Sequence, residues 1–148
     1  MYQHILIAVD GSDTSNRALQ EAINLAKDQR AALCIVYVID EVSMYSDAQI
    51  VDPTEIEKTW IKIGHEILDK AQNSARIAGV NAEVKLLETE VVGERIADAI
   101  VEEARNWHAD LLVAGTHGRT GFAHLLMGSV AEGIIRTCPI PILLTRSK

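Results

Sequence analysis

Residues 115–129 hold the densest concentration of groups able to do chemistry. Gly115-Thr116-His117-Gly118-Arg119-Thr120-Gly121 is followed by residues 122–127 and then by Gly128-Ser129. Glycine lets a backbone approach a ligand closely and adopt positive φ. A helix starting near Ser129 would add free N–H groups and the positive end of its dipole. Together these features make a phosphate site. Ser129 is expected to cap the helix or to donate its hydroxyl to phosphate. His117 and Arg119 are the nearby polar side chains able to reach an anion. A flexible connection with a serine N-cap would use the same residue types, so the glycines alone leave both readings open. Placement after a buried strand favours the ligand, because open α/β sheets bind at the carboxyl ends of their strands.

Two common phosphate motifs are excluded. No glycine is followed by Lys-Ser or Lys-Thr, so there is no Walker loop. The segment after the first strand reads DGSDTS, which lacks the GxGxxG of a dinucleotide fold. Other reactive groups read as structural. His4, His65, His108 and His124 have no metal-ligand spacing with Cys or with one another. Cys34 falls inside an apolar strand, and Cys138 precedes the last one. Trp60 sits on an apolar helical stripe. Glu102-Glu103 reads as the solvated face of a helix.

The elements that must position the glycine segment alternate in type. His4–Asp10 (HILIAVD), Ala32–Ile39 (ALCIVYVI), Asn81–Glu88, Asp110–Ala114 and Ile140–Thr145 read as strands, mostly continuous and apolar. A helix follows the capping cluster Gly11–Ser15, with Ala18, Ala22, Leu25 and Ala26 inward. A long second helix opens at Pro53, carries Ile56, Trp60, Ile63 and Ile67, and ends at Gly79. Gly93–Trp107 and Gly128–Arg136 are the third and fourth helices. Residues 40–52 read as a loop. The βαβαβαβαβ order implies a mostly parallel sheet covered by helices on both faces. Pro139 and Pro141 put the last strand at an edge, because proline cannot donate to a ladder.

Composition bounds the reading. The chain has 148 residues, 48% hydrophobic and 24% charged, close to the average for a globular domain. About two-thirds of the surface of such a chain is buried on folding. A net charge of −7 argues against a broad basic face for nucleic acid. It leaves small anions open, since backbone N–H groups bind phosphate without net positive charge. No apolar run reaches transmembrane length, and Met1–Val9 lacks the features of a signal peptide. The expected compartment is the cytoplasm, with both cysteines reduced.

The Gly-x2-Gly-x9-Gly-Ser spacing at Gly115, Gly118, Gly128 and Ser129 resembles the ATP-binding subgroup of the universal stress protein family. HILIAVDGSDTS at the start, VYVID at 36–40, THGRTG at 116–121, LLMGSVAE at 125–132 and the closing CPIPILLTR carry the resemblance along nearly the whole chain. It implies one domain over residues 1–148, a Rossmann-like fold similar to the adenine nucleotide alpha hydrolases. Its five parallel strands would run in the order 3-2-1-4-5. By similarity, Ala8, Val9, Asp10 and Gly11 hold the nucleoside, Asp10 reaching adenine or ribose, and Val38 flanks the adenine. Gly115, Gly118, Gly128, Ser129 and the N–H of Val130 hold the phosphates, with His117 and Arg119 as further candidates.

The ligand the resemblance implies is ATP, with ADP or AMP as alternatives and Mg²⁺ accompanying the nucleotide. It also implies a homodimer through the apolar last strand and a protein partner that the sequence does not name. Membrane insertion is not expected. Two functions remain open. One is a nucleotide-dependent regulator of the stress response. The other is a slow ATPase or autophosphorylating enzyme, for which the chain offers neither a P-loop lysine nor an evident positioned base. A third reading is a nucleotide-free structural partner.

Overall fold

The computed structural model describes residues 1–40, 52–89, 95–117 and 128–146. In chain order the elements are β1 (His4–Ala8), α1 (Asp13–Gln29), β2 (Ala32–Ile39), α2 (Pro53–Ile77), β3 (Ala82–Glu88), α3 (Ile96–Asn106), β4 (Leu111–Gly115), α4 (Ser129–Thr137) and β5 (Ile142–Thr145). The five strands form one sheet in the order β3-β2-β1-β4-β5, every pair parallel. The expected fold class and strand order are both present.

Apart from β3, which carries Glu83, Lys85 and Glu88, the strands are largely apolar because both faces are covered. Ile5, Ile7, Leu33, Ile35, Leu111 and Val113 pack with residues of α1 and α2. Leu6, Cys34, Val36, Val38, Leu112 and Ala114 pack with residues of α3 and α4. This division follows from the strand order. Right-handed crossovers running β1 to β2 to β3 put their helices on one face, and reversal of direction puts later ones on the other. Small residues set the close contacts. A Cβ on Gly133 of α4 would stand 2.6 Å from the Ala97 Cβ of α3, and one on Gly64 of α2 would stand 2.6 Å from Leu86 Cδ1.

Helix ends repeat one device. α1, α2 and α3 are each followed by a left-handed residue: Arg30 (φ 55°), Gly79 (φ 87°) and His108 (φ 61°). In each, the next N–H reaches back to a last-turn carbonyl: Ala31 to Ala26 at 2.9 Å, Val80 to Ala75 at 2.9 Å, and Ala109 to Ala104 at 2.8 Å. Glycine marks only one of the three, so the sequence reveals only that one.

Some expectations change. β1 ends at Ala8, freeing Val9 and Asp10 for the following loop. β5 starts at Ile142, after Pro141, whose carbonyl accepts from Leu112 N–H at 3.0 Å. α3 is described from Ile96, and Gly93 and Glu94 of its expected start lie outside the described residues. So do residues 41–51 of the expected loop, and His124. Glu103 does not sit on a solvated face: its side chain is 14% exposed and bonds Lys85 Nζ at 2.6 Å. That bond raises the Lys85 pKa above its ordinary value. Burial, then the nearby Glu83 carboxylate, pushes the Cys34 thiol up to about 12. Both cysteines are free thiols. Trp60 is partly buried against the α1/α2 core.

Candidate functional site

β1 and β4 are neighbours where the strand order reverses, so the residues that follow them meet at the carboxyl end of the sheet, where open α/β sheets form their ligand crevice. The β1 loop is a hydrogen-bonded turn. Asp10 N–H donates to Ser15 Oγ at 2.9 Å, and Ser12 N–H donates to Asp10 Oδ1 at 2.9 Å. Ser12 Oγ caps α1 by accepting from Ser15 N–H at 3.2 Å. Asp10 therefore holds the entry to α1 while standing at the crevice. Gly11 has φ +84°, which favours glycine, and a Cβ there would lie 3.1 Å from Ile67 Cδ1 of α2.

On the β4 side, Thr116 N–H donates to Thr145 O at 2.9 Å, and Gly128 N–H donates to Thr116 O at 2.7 Å. The chain thus leaves the sheet at Thr116 and returns beside it at Gly128 to begin α4. Gly128 is the N-cap, with φ −63° and ψ 158°, and Ser129 is the first helical residue. This corrects the expected serine cap. A residue without a side chain caps the helix, and the Ser129 hydroxyl is not used for capping. Glu132 N–H is the first to reach back, to Gly128 O at 3.0 Å. Among the described residues, nothing accepts from the N–H groups of Ser129, Val130 or Ala131. They form a positive, donor-rich helix start.

His117 adds a second unsatisfied group. Its Nδ1 shares a hydrogen bond with Thr116 Oγ1 at 2.9 Å, while its Nε2 is buried and has no partner among the described residues. A buried ring nitrogen without a partner is costly unless something arrives to meet it.

The structure brings most of the expected residues to this end of the sheet, in different capacities. Val38 is 9% exposed and belongs to the α3/α4 core, against which Ala8 and Val130 pack. All three thus belong to or border the same apolar core. Val9 faces the other way, into the α1/α2 core, and its N–H is already given to Val36 O at 2.9 Å. Only its carbonyl is left for a ligand. Gly115 ends β4, and the space beside it is filled by the protein. A Cβ there would come within 2.7 Å of Thr14 Cγ2. Gly115 therefore lets the strand end pack against the first turn of α1. Gly118 and Arg119 lie outside the described residues. Sequence reasoning passed over Thr14, Ser15 and Thr116, all polar and at most 8% exposed. The run SDTS signalled a cap, but only the topology shows that it abuts Gly115. Among the described residues, no group of three His, Cys, Asp or Glu is placed to hold a metal ion. No described helix is long and apolar enough to cross a membrane.

Comparison with known proteins decides the family. The model of the universal stress protein family matches residues 1–146. The chain belongs to the universal stress protein family. Universal stress protein MJ0531 of Methanocaldococcus jannaschii is 37% identical over 147 residues, 99% of this chain and 83% of that relative. A crystal structure of a universal stress protein family member from Burkholderia pseudomallei is 35% identical, with a TM-score of 0.78 over 97% of this chain and 95% of that one. Two solved universal stress proteins carry nucleotides. One, in complex with cAMP, is 27% identical with a TM-score of 0.73, covering 99% of both chains. The other, from Archaeoglobus fulgidus in complex with dAMP, is 25% identical with a TM-score of 0.72, covering 97% of this chain and 98% of that one.

Proposed function

We propose that this universal stress protein binds an adenine nucleotide, ATP foremost and ADP or AMP as alternatives, at the carboxyl ends of β1 and β4. It acts in the stress response through nucleotide-dependent contacts with a partner protein. The first turn of α4 carries the reading. Three N–H groups without acceptors among the described residues stand at the reversal of strand order, where a phosphate would meet them and the helix dipole together. Ala8, Val38 and the Val9 carbonyl offer an apolar wall and an acceptor for the base, with Asp10 and Gly11 toward the ribose. Gly128, Ser129, Val130 and His117 take the phosphates, with Gly118 and Arg119 completing the loop. Gly115 supports the site by its packing. Mg²⁺ would ride mainly on phosphate oxygens, as is usual for that ion. The cAMP and dAMP complexes of the two relatives support a nucleotide at this fold.

The chain pairs with a second copy through β5, whose apolar side chains are partly exposed at the sheet edge. The cytoplasm is the proposed compartment, supported by two free thiols. Efficient catalysis is not part of the proposal, because Asp10 has one carboxylate oxygen engaged by the turn it closes. Hydrolysis of ATP with Mg²⁺ that is fast in the wild type and absent in Asp10→Ala would replace this reading with the enzymatic one.

Gly128→Leu tests the site. The φ and ψ of Gly128 suit any L-residue, so the variant should fold and crowd the phosphates. Calorimetric titration should show ATP binding in the wild type and none in Gly128→Leu at unchanged circular dichroism. Equal affinity in both would remove the α4 turn from the site.

A further inference from the structure

We propose a second ligand site at the amino end of the sheet, for a small carboxylate on a short apolar body. A cleft of about 340 Å³ opens between the end of α3, the turn into β4 and the connection from α4 to β5. That volume falls in the range of small-molecule sites. Val101, Ala104 and Ile140 form apolar walls, and Arg105, His108 and the half-buried Cys138 bring the polar atoms. It lies at the opposite end of the strands from the nucleotide crevice and does not rest on that reading.

Charge complementarity selects the occupant. The chain has a net charge of −7, yet a guanidinium and an imidazole line this cleft and no acid does. Among the described residues, neither Arg105 nor His108 gives its side chain to an ion pair or hydrogen bond. Asp110, next along the chain, is occupied: its two carboxylate oxygens accept from Gln3 and His4 N–H at 2.8 and 2.9 Å. Last-turn carbonyls of α3, which would repel an anion, are engaged as well. Glu103, Arg105 and Ala104 accept from Trp107, His108 and Ala109 N–H at 2.8, 3.2 and 2.8 Å. An imidazole also stands at position 108, in the left-handed conformation for which the end of α2 has Gly79. The Arg105 guanidinium, with the His108 imidazole beside it, suits one carboxylate. The apolar walls favour an organic body over a bare hydrated ion.

Titration of the full chain with hexanoate, followed by amide NMR, tests the site, with hexanol as the uncharged match. Hexanoate should give saturable shifts centred on Ala104, Ala109 and Ile140, and hexanol should bind about fivefold more weakly. The double variant Arg105→Gln with His108→Asn should bring hexanoate to the level of hexanol. Asn suits the left-handed backbone, and Arg105 is exposed, so the fold is kept. Hexanoate should also slow alkylation of Cys138 by iodoacetamide, while Cys34, with no exposed surface, stays silent. Equal binding of hexanoate and hexanol, shifts centred elsewhere, or a double variant that binds hexanoate like the wild type would each overturn the proposal.

Discussion

β3 and β5 border the same sheet, and among the described residues each leaves one side of its ladder without a neighbouring strand. An unpaired strand edge templates association unless charge or covering groups block it. β3 carries Glu83 and Lys85 on the face toward α3, where Lys85 Nζ reaches Glu103 at 2.6 Å and Glu83 at 3.6 Å. At its start, Gln72 of α2 donates from Nε2 to the Ala82 carbonyl at 2.9 Å. β5 reads Ile-Leu-Leu-Thr, without a charge, and its Leu143 is 37% exposed. On α4, Ile135 is 45% exposed. One edge is thus closed by ions and an amide, and the other is left apolar. Isolated desolvated charges resist pairing, whereas exposed aliphatic edges gain by burial. The difference explains why a second copy should choose β5.

The sharpest way to break the contrast is to give β5 the chemistry of β3. Leu143→Lys places a charge at the middle of the apolar edge. The wild type should sediment as a dimer at micromolar concentration, and the variant as a monomer with unchanged circular dichroism. The expected loss in association is at least about 100-fold, since burying an unpaired ammonium costs several kcal/mol. A monomeric wild type would remove β5 as an interface.

The reverse change strips β3 of its ion. Lys85→Gln leaves the largely buried Glu103 without its partner, at a cost of about 1–2 kcal/mol once the partial exposure of the ammonium is allowed for. Denaturant unfolding should register the loss at neutral pH, while the oligomeric state stays as it was. The same corner should make the protein sensitive to alkali. In the unfolded chain Cys34 ionises near 9.0, whereas in the fold it holds its proton to about 12. Unfolding in that interval releases a proton, so stability falls as pH rises from about 9 to about 12. Lys85 acts in the same direction, because its raised pKa contributes stability that is lost as pH rises above the ordinary lysine value of 10.5. Cys34→Ala should begin less stable, by about 1 kcal/mol, and then lose less across that interval. An equally steep decline in both proteins would take Cys34 out of the account.

How legible these features were depends on how far the partners stand apart in the chain. The strands showed because burial on both faces makes runs such as Ala32–Ile39 apolar. β5 showed as an edge because two prolines flank its start. Glu103 was misread because helical periodicity sees only its own helix, and its partner Lys85 lies 18 residues away on a strand. The glycine spacing suggested a phosphate site, but the packing roles that the structure gives Gly115 and Gly128 were not legible in it. Gly115 answers to Thr14, a contact made only once β4 lies beside β1. Gly128 caps α4 because the chain returns to Thr116 there, and no local preference announces that return. Arg30 and His108 close their helices in a conformation for which sequence rules look for glycine.

The smallest test separates the two protections on β3. Gln72→Ala removes the amide that covers the Ala82 carbonyl and leaves the Lys85 ion pairs in place. A neutral hydrogen bond at a partly buried site contributes about 1 kcal/mol, and less where water replaces the donor. A strand edge admits water, so the loss should be about 0.5 kcal/mol in denaturant unfolding. Association should not change, because Glu83 and Lys85 still oppose an incoming strand. Should Gln72→Ala associate further through β3, the amide rather than the charges would be what keeps that edge closed, and the contrast with β5 would rest on one side chain of α2.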